Sequence, residues 1–219
     1  MAFYSLFSSN PILIIPWVTA LIISITIHEF AHGFAAFKLG DNTAEMAGRL
    51  TLNPLAHLDP LGTIMLFLVG FGWAKPVPIN PYLIQKGRLG SAIVSFAGIG
   101  MNLLLAIGSV LGLYILLFVI GLDSTNAAVR FLAFLVFINV GLFIFNLVPI
   151  APLDGYRILE SIAPFSFRSI APFFETWGFF ILIAIVFFTN IISYLITFAI
   201  YIFSIISGLD LLSLAFGGL

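Results

Sequence analysis

Long apolar runs separated by short polar breaks dominate this sequence, so its elements are predicted by the length of each run rather than by an amphipathic period. Crossing a bilayer core of about 30 Å takes roughly 20 apolar residues of helix. Runs of that length predict membrane-crossing helices near 11–37, 89–121 and 127–148. From Thr176 to Leu209 no residue is charged, and as one helix this stretch would extend about 51 Å. Two spans near 170–188 and 191–212, broken at Thr189-Asn190, fit better, with one long kinked helix as the alternative. The run at 61–72 reaches only about 18 Å as a helix, so it is predicted to re-enter the membrane rather than cross it.

Composition agrees with a lipid solvent. Of the 219 residues 62% are hydrophobic and 8% charged, against about 25% charged in soluble domains. A water-soluble globule is excluded, because so few charges cannot cover its surface. With 8 Lys+Arg, 9 Asp+Glu and a net charge of -1, the chain has no basic face for nucleic acid. Cysteine is absent, so any metal must be held by His, Asp or Glu. We therefore expect an all-α polytopic membrane protein: about five transmembrane helices, a short re-entrant segment and a small β-strand or hairpin near the active site. It reads as one domain over 1–219 with no soluble appendage, the N-terminal run belonging to the mature protein. With 61–72 re-entrant, Lys38, Arg49, Lys75, Lys86, Arg88, Arg157 and Arg168 share one side and Arg130 stands alone on the other. By the positive-inside rule that shared side is the cytoplasm, with the N-terminus outside and the C-terminus inside.

Two of the three histidines fall in Thr26-Ile27-His28-Glu29-Phe30-Ala31-His32, an HExxH motif in an apolar helix. His28 and His32 lie one turn apart on one face and can reach one metal ion, with Glu29 about 100° round. The spacing suits zinc hydrolysis, and ionisable groups at membrane depth are tolerated where they pair, bind ions or line a wet cavity. A catalytic zinc typically takes three protein ligands. The candidate for the third is Asp154, in Asn146-Leu147-Val148-Pro149-Ile150-Ala151-Pro152-Leu153-Asp154-Gly155. Pro149 and Pro152 end the preceding helix and Gly155 lets the chain turn. A helix-end carboxylate paired with Arg157 is the other reading of Asp154. The ends of 11–37 and 127–148 can meet on one side only if 61–72 re-enters. The metal-site core would then span about 11–160, with a C-terminal helical hairpin at about 170–212.

TIHEFAH, AGIGMN, GWAKPVPINP and NLVPIAPLDGYRIL together resemble the site-2 protease family of intramembrane zinc metalloproteases, over roughly residues 15–165. The resemblance implies one Zn2+ per chain on His28, His32 and Asp154, with Glu29 activating water. It also implies a transmembrane protein as substrate and a multi-pass protein of a prokaryotic plasma membrane, its active site toward the cytoplasm. The family's GPxxN-type motif, whose asparagine holds substrate backbone, corresponds to Gly98-Ile99-Gly100-Met101-Asn102, with Ile99 in the proline position. The chain is similar to the compact branch without a PDZ or CBS domain.

A transmembrane substrate arrives as a helix and has to be unwound and held extended. Asn102 and Asn146 are the candidate substrate-binding residues, and the Arg49-Leu50-Thr51-Leu52 alternation is predicted to form a short strand whose edge pairs with the substrate. Asn139 and Asn146, seven apart, would line a water path together with Ser24 and Thr26. Interhelical hydrogen bonding is the alternative role for Asn102 and for this set. His57, in a turn-rich loop, reads as structural, and Gly108 and Gly112 as a close-packing pair. The competing functions are a zinc-binding membrane transporter, which has no need of Glu29 beside the open metal position, and a non-catalytic membrane scaffold. The sequence is silent on oligomeric state.

Overall fold

A computed structural model describes residues 11–69, 72–163, 167 and 169–217. Among the described residues, eight helices frame the molecule besides the single helical turn Thr43–Met46. They are α1 (Ile14–Lys38), α2 (Pro60–Val69), α3 (Gly87–Tyr114), α4 (Ala127–Leu147), α5 (Asp154–Ile162), α6 (Ala171–Phe188), α7 (Ile191–Ser207) and α8 (Leu211–Phe216). A 3-10 turn, Pro11–Leu13, leads into α1, and a π-turn, Ile115–Val119, prolongs α3. Pro11–Lys38, Gly87–Val119, Ala127–Leu147 and Ala171–Phe188 are long and apolar enough to cross a membrane. The 17 residues of α7 add a fifth apolar helix of about 26 Å. The chain is an all-α integral membrane protein.

Local chemistry sets the helix ends. The Asn126 side chain accepts from the Ala128 amide to start α4, and Pro172 sits in the first turn of α6. The break at Thr189-Asn190 falls where the sequence places it, but the last apolar helix stops at Ser207, short of the expected 212. Gly208 takes a left-handed conformation (φ 66) that caps α7, and Asp210 accepts from the Ser213 amide to start α8.

The core centres on α4, whose Val129, Phe134, Val136 and Val140 are buried against α1, α3, α7 and α8. Large apolar side chains remain on the outer faces, among them Leu111, Phe118, Phe180 and Phe188, as expected where the surrounding solvent is hydrocarbon. Of the predicted glycine pair only Gly112 packs tightly, since a methyl group there would lie 2.8 Å from Leu132 of α4, whereas Gly108 faces open space.

The segment at 61–72 returns to where it begins. Leu58 and Ala74 form an antiparallel bridge and the Lys75 amide donates to the His57 carbonyl (2.9 Å), so the two ends of the α2 excursion are tied together. The helix in this excursion has ten residues, about 15 Å, too short to cross a bilayer core. That bridge is isolated and extends into no strand or hairpin among the described residues. The strand expected at Arg49–Leu52 does not form. The Asn53 amide bonds Thr51 Oγ1, His57 Nε2 donates to the Thr51 carbonyl, and Arg49 Nη2 reaches the Lys75 carbonyl, which folds that stretch into a bend.

Residues 72–86 are then stitched along the end of α1. The Gln85 amide donates to the Leu39 carbonyl, and Asp41 accepts from the Asn80 amide (2.7 Å), the Thr43 amide (3.0 Å) and the Thr43 hydroxyl. Burial pushes the Asp41 carboxyl up, yet these hydrogen bonds outweigh it and hold the group below the ordinary carboxylate range.

The C-terminal helices depart from the expected direction. Both α6 and α7 begin near Asp154: the Tyr156 hydroxyl donates to the Ala171 carbonyl, and Ile192 clusters with Leu153 and Leu182. From there α7 runs antiparallel to α4, past Gly141, until Ser207 accepts from the Tyr114 hydroxyl. Phe216 of α8 packs on Phe134 and Phe137, and Gly217 lies beside Arg130. The described C-terminal end therefore sits at the Arg130 end, not at the Lys38 end where alternating crossings would put it. Run lengths carry no information about which end of the bundle a helix starts from.

Candidate active site and metal centre

α1 brings His28 and His32 to one face at successive turns, both buried. Against that face lies α3, and one stripe of α3 meets the pair: Val94, Gly98 and Asn102, each four residues from the next. Gly98 makes the approach possible. A Cβ there would overlap His32 Nε2 and come within 2.6 Å of His32 Cε1 and 2.8 Å of His28 Cε1. His32 Nδ1 lies 2.8 Å from the Val94 carbonyl and His28 Nδ1 lies 2.5 Å from Asn102 Oδ1.

Asp154 arrives from the other side. α4 stops at Leu147, Val148 is extended (ψ 126), and the proline-rich link delivers Asp154 as the first residue of α5. Gly155 permits this tight return, because a Cβ would collide with the Leu147 carbonyl and lie 2.7 Å from that of Val148. Asp154 Oδ2 stands 3.0 Å from His32 Nε2 and 3.2 Å from His28 Nε2, and the two Nε2 atoms are 3.0 Å apart. The carboxylate is turned to the histidines, whereas Arg157 is exposed.

The chemistry of this donor set fits a metal ion. A backbone carbonyl can only accept, so a neutral His32 carries its proton on Nδ1 and presents a lone pair at Nε2. A neutral His28 that donated from Nδ1 to Asn102 Oδ1 would do the same. Three lone-pair atoms, two nitrogens and one carboxylate oxygen, then converge within 3.2 Å of one another, an arrangement a cation relieves. Their separations are close to the roughly 3.3 Å edge of a tetrahedron drawn around zinc with bonds near 2.0–2.1 Å.

Glu29 is also buried, and its Oε2 accepts from the Val77 amide at 2.9 Å. Val77 sits between Pro76 and Pro78 in the extended stretch that passes over α1, and Gly33 leaves room for its side chain. His28, Glu29, His32, Asp154 and Asn146 all line one cavity of about 440 Å³, together with Trp73, Val77 and Phe179. A volume of that size is typical of a ligand site.

The structure thus gathers His28, Glu29, His32, Asp154 and Asn146 at one place. Asn102 is not on the cavity wall: it is fully buried, with Oδ1 against His28 and Nδ2 donating to Asn139 Oδ1 at 2.7 Å. Its burial behind His28 keeps the amide from the cavity where a substrate backbone would lie. Asn139 and Ser24 likewise are buried and hydrogen-bonded to each other rather than lining a water path, and Thr26 is buried. Asn146 faces the cavity and ties only Nδ2 to the Leu142 carbonyl (3.0 Å). His57 donates to Thr51 within its loop, consistent with a structural role. Arg168 lies outside the described residues. Sequence reasoning did not find the Val77 amide, the Val94 carbonyl or the steric role of Gly98. Backbone groups leave no trace in residue identity, although the prolines of GWAKPVPINP do announce an extended stretch.

Comparison with known proteins agrees with this geometry. The profile of peptidase family M50 matches residues 118–189. A Bacillus subtilis protein provisionally named zinc metalloprotease YwhC is 43% identical over 192 residues, covering 85% of this chain and 86% of the relative. Proteins provisionally named zinc metalloprotease Rip2 are 34% identical: that of Mycolicibacterium smegmatis over 77% of this chain and 65% of its own length, that of Mycobacterium tuberculosis over 71% and 60%. No solved structure matches. The chain belongs to peptidase family M50, the site-2 protease family.

Proposed function

We propose that this chain is an intramembrane endopeptidase that hydrolyses peptide bonds in the transmembrane segments of other membrane proteins. The observation that carries the reading is the convergence of His28, His32, Asp154 and Glu29 on one cavity between membrane-length helices. His28 Nε2, His32 Nε2 and Asp154 Oδ2 would hold one zinc ion, which when bound lowers the pKa of a water molecule and withdraws charge from the scissile carbonyl. Glu29 is the base. The Val77 amide occupies Oε2, which leaves Oε1 to take a proton from water and pass it to the leaving amine. No serine or cysteine nucleophile is needed. Asn146, open to the cavity, supplies an amide to an unwound substrate backbone.

His32 and His28 stand six and ten residues from Lys38 at the end of α1, which puts them about 9–15 Å below that end. Lys38 and Arg88 belong to elements tied together there: Gln85 bonds Leu39, and Arg88 bonds the carbonyls of Glu160 and Ala163. Arg130 is at the opposite end. This distribution supports a site in the cytoplasmic half of a plasma membrane.

The test is cleavage of a single-pass substrate by purified protein in proteoliposomes. We expect cutting within the substrate's membrane segment, abolished by a zinc chelator and restored by added zinc. Zinc-replete protein that transports zinc across the vesicle wall but leaves every tested segment intact would favour the transporter instead.

A further inference from the structure

A chain of hydrogen bonds runs behind His28 through three helices. His28 Nδ1 meets Asn102 Oδ1 of α3 at 2.5 Å, Asn102 Nδ2 donates to Asn139 Oδ1 of α4 at 2.7 Å, and Asn139 Nδ2 donates to Ser24 Oγ of α1 at 2.8 Å. Ser24, Asn102 and Asn139 are all fully buried. Ser24 in turn donates to the Ala20 carbonyl (2.7 Å), and Asn139 Nδ2 also donates to the Leu135 carbonyl (2.8 Å).

The far end of this chain fixes its direction. The Leu135 carbonyl has no hydrogen to give, so the atom of Asn139 facing it must be the amide nitrogen. Asn139 then turns its oxygen to Asn102, Asn102 must answer with its nitrogen, and its oxygen is left facing His28. Only a protonated Nδ1 satisfies that oxygen. Resting on the zinc-site reading above, we infer that Asn102, held by Asn139 and Ser24, is a positioning residue that locks His28 in the tautomer leaving Nε2 bare for the metal. His32 reaches the same state through the Val94 backbone, which no side-chain substitution can change. His28 depends on side chains, so it is the ligand that loses its orienting hydrogen bond when a side chain is removed.

Partners of this kind that orient a metal-binding histidine typically govern metal affinity by about 10–100-fold. Asn102→Leu is expected to weaken zinc binding, measured by competition with a chelator dye on purified protein in detergent, by that factor. Asn139→Leu leaves Asn102 in place but removes what orients it, so an intermediate loss of about 3–10-fold is expected. Nitrogen-15 spectra of histidine-labelled, metal-free protein give a second readout, with His28 protonated on Nδ1 in wild type and as a tautomer mixture in Asn139→Leu. If Asn102→Leu and Asn139→Leu bind zinc as tightly as wild type and keep the Nδ1 tautomer, the inference is overturned while the zinc site stands. Wild type that takes up no zinc yet shows the Nδ1 tautomer would sink the zinc reading and leave the orienting role intact.

Discussion

Glu29→Gln protein is expected to fold, to bind zinc like wild type, and to cleave substrate about 10²–10⁴-fold more slowly, the usual span for losing a general base. Glutamine has nearly the shape of glutamate, and its amide oxygen can still accept from the Val77 amide that now holds Glu29 Oε2. Zinc binding should survive because the atoms that converge belong to His28, His32 and Asp154. What disappears is an oxygen able to take and return a proton. The paired assay is turnover and zinc content on the same preparation; cleavage within tenfold of wild type with zinc retained would remove Glu29 from the chemistry.

Gly98→Ala carries the second large effect. Within a helix, alanine in place of glycine favours folding by up to about 1 kcal/mol. At this position the added methyl would overlap His32 Nε2 and crowd Cε1 of both histidines. Imidazole rings packed in a rigid bundle cannot yield without turning Nε2 away from its partners, so zinc affinity should fall by about 100-fold or more, at the upper end of the range for disturbed ligand orientation. Gly108→Ala is the control, because nothing lies within 4 Å of the added carbon. It should keep zinc and melt at or above the wild-type temperature. Equal zinc binding by the two variants would mean that α3 does not press on the histidines.

Much of this was legible in the sequence because lipid makes the code simple. Run length fixed four of the five long helices to within a few residues, and the twelve apolar residues at 61–72, too few to cross, lie between ends that the structure ties together. His28, His32 and Glu29 were legible because helical spacing converts residue identity into a shared face, and Asp154 because prolines and a glycine surround a rare carboxylate.

Three things were not legible, each for a physical reason. The Arg49–Leu52 alternation has the period of a strand, but hydrogen bonds of the Thr51, His57 and Arg49 side chains outcompete strand pairing. The direction of α7 depends on contacts such as Tyr114 with Ser207, between residues far apart in the chain, and no local pattern encodes it. Asn102 advertises a polar group at membrane depth, yet whether such a group meets substrate or histidine is decided by Asn139 on another helix.

Zinc content per chain tests the central claim most directly, measured on detergent-purified wild type beside His32→Ala and Asp154→Ala. About one zinc in wild type and little in either variant is the expected result. Wild type without zinc after metal is supplied, or Asp154→Ala holding as much zinc as wild type, would contradict a site built from two histidines of α1 and the first carboxylate of α5.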